Sequence, residues 1–245
     1  MEATLAGRSV LVTGANRGLG QALVEEALQQ GAKRVYAGTR EPFAARDPRV
    51  TPLILDVTEE AQIQRAVERV DSLDVLINNA GVAIYDDLSD RAVLERHLAV
   101  NLFGPWSMAR AFLPLLTDSN GAIINILSLA GAVAMPIIPS YSVSKAAALS
   151  LTQSLRALLA PRGVSVHAVL AGPMDTEMTR DFPVAKASTE SVARAILDAV
   201  QRGEEDLFPD PVSATLADSW QSGALKERER QNAALVTADR TARTG

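Results

Sequence analysis

Tyr141 and Lys145 occupy the first and fifth positions of the segment YSVSK, at the start of a stretch with helical periodicity. This spacing places both side chains on one face of a helix. An ammonium group close to a phenol favours the phenolate and therefore lowers the pKa of the phenol from its reference value of about 10. The pair predicts a proton donor that works near neutral pH.

Ser128 is a second candidate for chemistry. It precedes Tyr141 by thirteen residues and follows a segment with the apolar pattern of a buried strand. Ligands of open α/β sheets bind where the strands reach their carboxyl ends. A hydroxyl at that edge can donate a hydrogen bond to a carbonyl oxygen.

A glycine-rich segment, TGANRGLG at 13–20, directly follows the first predicted strand and precedes a predicted helix. Glycines let the backbone turn tightly and approach a diphosphate, and the first amides of the helix offer free donors and a partial positive charge. The spacing is GxxxGxG, a variant of the GxGxxG device. The segment predicts a dinucleotide site that includes Gly14, Asn16, Arg17, Gly18, Leu19 and Gly20.

The end of the second predicted strand favours one form of dinucleotide. In this device an acidic residue about 20 positions on binds the ribose hydroxyl, but Thr39 and Arg40 stand there instead. With no carboxylate to repel it, a 2'-phosphate can lie between Arg40 and Arg17. The sequence therefore favours NADP(H) over NAD(H).

The elements that must position these residues follow from periodicity. Apolar, β-rich runs alternate with amphipathic segments, which predicts a Rossmann-like α/β fold: a single domain (1–233) with a doubly wound parallel sheet of about seven strands and helices on both faces. Strands are predicted at 9–13, 34–38, 50–55, 74–77, 121–127 and 164–170. Helices are predicted at 18–30, 59–70, 90–117, 141–160 and 189–202, with a possible last one at 213–233. Residues 234–245 lose the apolar pattern and are predicted to form a flexible tail.

Composition and charge argue against several classes of function. The net charge is -5 with no basic cluster, which disfavours nucleic acid. The mixed run KERER at 226–230 is predicted to be a solvated helix face. There are no cysteines and only two histidines, so disulfides are excluded and a metal site or a serine hydrolase is not expected. The start of the chain does not resemble a signal peptide, and the apolar segment 122–139 contains polar residues and prolines, so we expect a cytoplasmic protein with no membrane span.

Two predicted helices have apolar residues around most of their circumference. They are 92–116 and the later part of 141–160. A helix on the surface of a monomer could not sustain such a composition. Together they predict a homo-oligomer, a dimer or a tetramer, formed through these helices.

Taken in order, these motifs resemble those of a short-chain dehydrogenase/reductase of the compact kind. The resemblance extends from the glycine-rich segment to Met178. It rests on TGANRGLG, Asp56-Val57 after the third strand, NNAG at 78–81, Asn101, Ser128 and YSVSK.

The resemblance implies a role for each matching residue. Tyr141 would be the general acid in reduction, Lys145 would lower its pKa and hold the nicotinamide ribose, and Ser128 would polarise the substrate carbonyl. Asn101 would hold a water molecule in a proton relay. The further cofactor contacts would be Asp56 and Val57 at the adenine, Asn79, Ala80 and Gly81 along the cleft, and Pro173 and Thr176 near the nicotinamide.

The sequence departs from the family pattern at three places. Residues 41–49 are short and contain two prolines, so a turn or loop is expected in place of the usual crossover helix. Gly172 and Pro173 stand in the reverse of the usual order, which puts the geometry of that loop in doubt. His167 stands where asparagine is common, and no role is assigned to it.

The expected substrate is a hydrophobic ketone or aldehyde, or the corresponding alcohol. The pocket is predicted to form from 82–88, 130–139, 173–187 and the region after Phe208, where the apolar side chains are Val133, Met135, Ile137, Met174, Met178 and Phe182. Two alternatives remain open. One is a catalytically idle NADP(H)-binding regulatory protein, and the other is a β-ketoacyl carrier protein reductase, which would need a basic rim that the pocket segments lack.

Overall fold

A computed structural model describes residues 5–180 and 183–244, with side chains described up to residue 236. It contains one sheet of seven parallel strands in the order β3-β2-β1-β4-β5-β6-β7. The strands are β1 (Ser9–Thr13), β2 (Arg34–Thr39), β3 (Val50–Ile54), β4 (Val75–Asn78), β5 (Ala122–Ile126), β6 (Ser165–Val169) and β7 (Asp206–Leu207). The order changes direction between β1 and β4, and in such sheets this switch point opens a crevice beyond the carboxyl ends of the strands. The predicted fold class is confirmed.

Helices cover both faces of the sheet. They are α1 (Gly18–Gln29), α2 (Glu60–Arg69), α3 (Arg91–Leu98), α4 (Gly104–Asp118), α5 (Pro139–Leu159), α6 (Thr189–Gln201), α7 (Pro211–Ala214), α8 (Ala217–Gln221) and α9 (Ala224–Thr244). In β1, Val10 and Val12 face the cluster of buried side chains that includes α1 and α6. Leu11 faces the opposite cluster, which includes α2 and α4. The two-residue period of the strand thus supplies both cores.

The predicted helix 90–117 is interrupted in the structure. Between α3 and α4 the chain forms a π-helical turn at Ala99–Phe103, which contains Asn101. Turns of this kind are rare inside helices and occur frequently at functional sites. Hydrophobic periodicity does not reveal such a turn because the apolar pattern continues through it.

The connection between β2 and β3 agrees with the sequence expectation. Residues 40–49 contain no helix. The register still pairs Val35 with Val50 and Thr39 with Ile54 in parallel. A short irregular segment therefore takes the place of a crossover helix at this edge of the sheet.

The carboxyl-terminal part differs from the expectation. The predicted single helix 213–233 is divided into α7, α8 and α9, and α9 continues to Thr244. The prediction that the run 226–230 is a solvated face is wrong for Lys226, whose side chain is 1% exposed and lies 2.7 Å from Asp206 and 2.9 Å from Glu205. Burial is possible because these carboxylates compensate the ammonium charge.

Some apolar side chains of α4 and α5 remain exposed. Trp106 of α4 is 43% exposed and Leu158 of α5 is 51% exposed. These residues belong to the helices for which the sequence predicts subunit contacts, which stays a prediction. Within the described part of the chain, the helices are too short or too polar to cross a bilayer.

Candidate active site

The glycine-rich turn after β1 requires glycine at several of its positions. Gly14 and Gly18 have φ angles of +66° and +54°, a region that side-chain-bearing residues rarely adopt. A Cβ atom on Gly20 would lie 2.0 Å from the carbonyl oxygen of Gly14, and one on Gly14 would lie 3.0 Å from the Cα atom of Ala80. The turn is therefore packed tightly against the end of β4.

The beginning of α1 suits an anion. Arg17 is its N-cap residue and makes no side-chain capping bond, and no acidic residue lies in the first turn. The first amides of the helix thus have no side chain of their own helix as acceptor, and the helix dipole favours negative charge there. The turn fits the diphosphate that the sequence predicts.

Asn79 stabilises this turn. Its Nδ2 atom donates to the carbonyl oxygens of Thr13 at 2.9 Å and of Gly14 at 3.1 Å. The hydroxyl of Thr13 accepts from the backbone amides of Asn79 and Ala80, each at 3.0 Å. The side chain of Asn79 therefore joins the ends of β1 and β4, whereas the family resemblance implies only that it lines the cleft.

The predicted adenosine end combines buried and exposed groups. Thr39 is buried, and its hydroxyl donates to the carbonyl oxygen of Glu41 at 2.6 Å, whereas Arg40 is exposed. The Asp56 carboxylate accepts from the backbone amide and hydroxyl of Thr58, at 2.9 and 2.7 Å. Val57 is buried. Two exposed charged groups, the guanidinium of Arg40 and the carboxylate of Glu41, thus follow β2 directly.

The segment after β6 reaches the glycine-rich turn. Thr176 lies 3.4 Å, through its Cγ2 atom, from the position of a Cβ on Gly18. The next residue, Glu177, forms an ion pair with Arg17. The sequence predicts a phosphate contact for Arg17 and gives no signal for Glu177, because the two residues lie far apart in the chain.

The candidate proton donor lies at the first turn of α5. Tyr141 is half-buried, and the side chain of Ser128 acts on its hydroxyl in the direction of the phenolate. Burial raises the pKa of Tyr141 above its ordinary value, and this influence of Ser128 opposes the shift. Ser128 also accepts a 3.1 Å hydrogen bond from the amide of Ala130, which caps the short 3-10 turn Leu129–Gly131. Ser128 is therefore held in place by its own backbone.

Lys145 lies one helical turn after Tyr141, as the spacing predicts. Its Nζ atom is 5.6 Å from the centre of the Tyr141 ring and donates a 2.8 Å hydrogen bond to the carbonyl oxygen of Ile126. Burial lowers the pKa of Lys145 to about 8. The sequence predicts a lowered pKa for Tyr141, whereas the net pKa is raised, because desolvation of the phenolate outweighs the opposing influence of Ser128.

Asn101 is held within the π turn by three hydrogen bonds. Its side chain accepts from the amide of Val82 at 2.9 Å and donates to the carbonyl oxygen of Val82 at 2.9 Å. It also donates to the hydroxyl of Ser144 at 2.9 Å. Asn101 thus connects the segment after β4 to α5, and its implied role in holding a water molecule stays a prediction.

Gly81 shows how closely these groups approach. A Cβ at this position would lie 3.3 Å from Oδ1 of Asn101 and 3.8 Å from Nζ of Lys145. The structure therefore brings Asn101, Ser128, Tyr141 and Lys145 together at the carboxyl ends of β4 and β5. It brings Gly18 and Thr176 together at the glycine-rich turn, and it shows no direct contact between Arg40 or Asp56 and the catalytic group.

Two residues of this site are missed by sequence reasoning. His97 packs edge-on against the Tyr141 ring, with ring centres 6.2 Å apart. Asp86 accepts hydrogen bonds from the backbone amide and the hydroxyl of Ser140, the residue before Tyr141. No short motif marks either residue, because each contact joins separate segments.

The apolar residues predicted to line the pocket differ in their exposure to solvent. Val133, Met135, Ile137 and Met178 are exposed. Met174 is partly buried and packs against the core beside α1 and α6, and its place in the pocket stays a prediction. Phe182 lies outside the described residues.

The loop after β6 is held despite the reversed Gly-Pro order. The amide of Gly172 donates a 2.7 Å hydrogen bond to the Asp210 carboxylate. A Cβ on Gly172 would lie 2.6 Å from the same carboxylate. Further along, Pro173 accepts from the amide of Ala187 at 3.1 Å. The glycine is thus required by a close approach between the ends of β6 and β7.

Comparison with known proteins agrees with this arrangement. Residues 8–186 match the family model described as short chain dehydrogenase. The chain is 39% identical over 185 residues to the short-chain dehydrogenase PC-15 of Penicillium crustosum, which covers 69% of this chain and 66% of that protein. It is 31% identical over 193 residues to the oxidoreductase UcpA of Salmonella typhimurium, which covers 73% of each. The chain therefore spans about two thirds of the length of the fungal relative.

A solved structure is similar over nearly the whole chain. It is a short chain dehydrogenase from Burkholderia cenocepacia, crystallised in complex with NADP. The two structures superpose with a TM-score of 0.85 at 38% identity, and the alignment covers 93% of this chain and 98% of the other. The likeness thus includes elements beyond the segment matched by the family model.

Proposed function

We propose that this chain, which belongs to the short-chain dehydrogenase/reductase family, transfers hydride between NADP(H) and a hydrophobic ketone or aldehyde, or the corresponding alcohol. One observation carries the proposal. The phenol of Tyr141 interacts with the side chain of Ser128 and lies beside the buried ammonium of Lys145, at the edge of the sheet where ligands of such folds bind.

The residues around the glycine-rich turn fit a dinucleotide diphosphate. Gly14 and Gly20 leave a cradle that a Cβ would fill, and the start of α1 offers uncapped amides. The exposed guanidinium of Arg40 suits a 2'-phosphate, and Arg17 can join it by exchanging its ion pair with Glu177 for the phosphate. Both support NADP(H), and the similar Burkholderia protein was crystallised with NADP. When bound, the cofactor supplies or accepts the hydride at the carbonyl carbon.

The chain's own side chains manage the proton. Because burial raises the pKa of Tyr141, the phenol keeps its proton at neutral pH and can donate it to the carbonyl oxygen as the new C–H bond forms. Ser128 orients the same oxygen by a hydrogen bond. Lys145, with a pKa of about 8, is mostly charged at neutral pH and favours the phenolate left behind.

The exposed apolar side chains support the substrate class. Val133, Met135 and Ile137 follow β5 in the chain, and Met178 follows β6. A carbonyl compound with an aromatic or aliphatic body suits such a surface better than a polyanion does. NADP(H) preference favours the direction of reduction.

A homo-oligomer, a dimer or a tetramer, is also proposed. Phe103 at the end of the π turn and Trp106 of α4 are exposed, and so are Val143 and Leu158 of α5. Contact with a second copy would remove this apolar surface from water. Sedimentation velocity measures the oligomeric state directly, and a monomer at micromolar concentration would contradict this part of the proposal.

The enzymatic test is reduction of a panel of aryl and alkyl ketones with NADPH. Wild-type protein should oxidise NADPH in the presence of some of them, and Tyr141→Phe should lower kcat by roughly 10²- to 10⁴-fold, the usual contribution of a general acid. Tyr36→Phe is the matched control, since Tyr36 is buried in β2 away from this group. Tight NADPH binding without turnover of any substrate would instead indicate the idle regulatory protein. Turnover restricted to β-ketoacyl thioesters would indicate a carrier protein reductase.

A further inference from the structure

His97 lies in α3 and contacts the candidate proton donor. Its ring centre is 6.2 Å from that of Tyr141, and the two planes meet at 74°. The imidazole is 0% exposed. In this edge-to-face geometry the imidazole restricts where the phenol ring can lie, because both are closely packed.

The hydrogen bonds of His97 select one protonation form. Nδ1 is 2.8 Å from the carbonyl oxygen of Val93, which can only accept, so Nδ1 carries a proton. Nε2 is 3.0 Å from the amide nitrogen of Ile84, which can only donate, so Nε2 is the acceptor. The ring is therefore neutral, and its acceptor nitrogen holds the centre of residues 82–86, hereafter the β4 loop.

Two other side chains fix the β4 loop on either side of the bond between His97 and Ile84. Asn101 exchanges two hydrogen bonds of 2.9 Å with the backbone of Val82. Asp86 accepts from the amide and hydroxyl of Ser140 in α5. Every second residue of the loop is thus fixed to a different element, and the partners lie in α3, in the π turn and in α5.

We infer that His97 is a positioning residue: it sets the β4 loop and the Tyr141 ring in a fixed relation to each other. The inference rests on the proposed function, in which Tyr141 donates the proton, and on the sequence prediction that residues 82–88 line the substrate pocket. His97 contacts both through one rigid ring. Its loss should therefore misplace the substrate relative to the phenol while the cofactor site around Gly14 stays unchanged.

Two variants that differ by one methylene isolate the bond to Ile84. The side-chain oxygen of His97→Gln lies as many bonds from Cβ as Nε2 does and can accept from Ile84. The amide of His97→Asn reaches only as far as Nδ1 and can keep the bond to Val93. His97→Asn should raise KM for the ketone, lower kcat, and reduce kcat/KM by roughly 10- to 100-fold, as small misplacements of reacting groups do.

His97→Gln should restore most of this loss, and the Kd for NADPH should be unchanged in both variants. Equal kcat/KM in the Asn and Gln variants would contradict the inference. So would a fall in kcat with an unchanged ketone KM, which is what a loss of folded protein alone produces.

His167→Asn is the matched control. His167 is also buried and bonded through both ring nitrogens, to the carbonyl oxygen of Glu204 at 2.6 Å and the hydroxyl of Ser165 at 3.1 Å. It lies in β6, so its substitution should lower stability without changing the ketone KM.

Nitrogen NMR of the imidazoles provides a readout that does not need turnover. It should show His97 protonated at Nδ1 and bare at Nε2 in the wild-type protein. A proton on Nε2 would overturn the inference even if the enzyme is active. Failure of the wild type to reduce any ketone would refute the proposed function instead, and the NMR result would then decide whether His97 holds the loop.

Discussion

The Nζ atom of Lys145 lies 5.6 Å from the centre of the Tyr141 ring and donates its hydrogen bond to the carbonyl oxygen of Ile126. Burial acts on both side chains in the direction of the neutral form: it raises the pKa of Tyr141 and lowers that of Lys145 to about 8. The same desolvation therefore disfavours the charged form of each group, the phenolate of Tyr141 and the ammonium of Lys145. This relationship has a measurable consequence for stability.

Between about pH 8 and 10.5, the stability of the cofactor-free protein should rise with pH through Lys145. The folded pKa is about 8 and the ordinary value is 10.5, so the unfolded chain binds more protons in this window and folding is favoured as pH rises. The full effect is about 3–4 kcal/mol, at roughly 1.4 kcal/mol per pH unit over this window. Urea unfolding of wild type and Lys145→Met at both ends of the window measures it, and parallel pH profiles of the two proteins would contradict the assignment.

Gly20→Ala should abolish tight NADPH binding. Its Cβ would lie 2.0 Å from the Gly14 carbonyl oxygen, so the turn that receives the diphosphate must open. We expect the Kd for NADPH, measured by fluorescence titration, to rise by at least about 100-fold, or about 2.7 kcal/mol.

Gly203→Ala is the matched control for this substitution. Gly203 has a φ of +75° but nothing within 4 Å of a Cβ. It should lose about 1–2 kcal/mol of unfolding free energy from the left-handed backbone conformation alone and keep its NADPH affinity. NADPH binding by Gly20→Ala at the wild-type Kd would show that the turn is not the diphosphate site.

Arg40→Ala should weaken NADPH binding and leave NADH binding unchanged. A lost charge-assisted hydrogen bond to a phosphate costs about 1.5–3 kcal/mol, which corresponds to roughly 10- to 100-fold in Kd. Arg202→Ala removes an arginine that pairs with Glu204 on the surface and serves as control. If Arg40→Ala weakened both cofactors equally, Arg40 would not be reading the 2'-phosphate.

The ion network that attaches α9 should dominate acid stability. Lys226 and Arg156 each lie 2.7 Å from the buried Asp206 carboxylate. Burial raises the pKa of Asp206, but these two cations outweigh it, and the pKa lies below its ordinary value of 3.8. The stabilisation is present above pH 3.8 and is lost as pH falls through the lower folded pKa.

Asp206→Asn should therefore lose about 3–5 kcal/mol at neutral pH, since it leaves two partly uncompensated cations, and should flatten the acid limb of the stability profile. Asp47→Asn, which breaks an exposed pair with Arg49, is the control and should not shift the urea midpoint. An Asp206→Asn variant as stable as wild type would mean that the buried charges cost as much as they contribute.

Local patterns account for the features that were predicted correctly. The glycine spacing that predicts the turn at Gly14 lies in neighbouring residues, and so does the spacing that places Tyr141 and Lys145 on one helical face. The parallel sheet follows from apolar runs such as Ser9–Thr13 alternating with amphipathic helices. Each of these sequence patterns lies within about twenty consecutive residues. Backbone sterics and the helical period are therefore sufficient to predict the local structure from it.

Contacts between distant segments account for what was missed. The π turn at Asn101 is stabilised by bonds to Val82 and Ser144, and the burial of Lys226 depends on carboxylates of β7. No periodicity encodes these partners.

The amino-acid sequence by itself determined which residues could carry the chemistry and in which order the elements follow. Only the tertiary structure decided that the pKa of Tyr141 is raised rather than lowered, and that His97 lies against it. The physical reason is that desolvation and packing depend on what surrounds a group in three dimensions, whereas spacing along a helix describes only one neighbour.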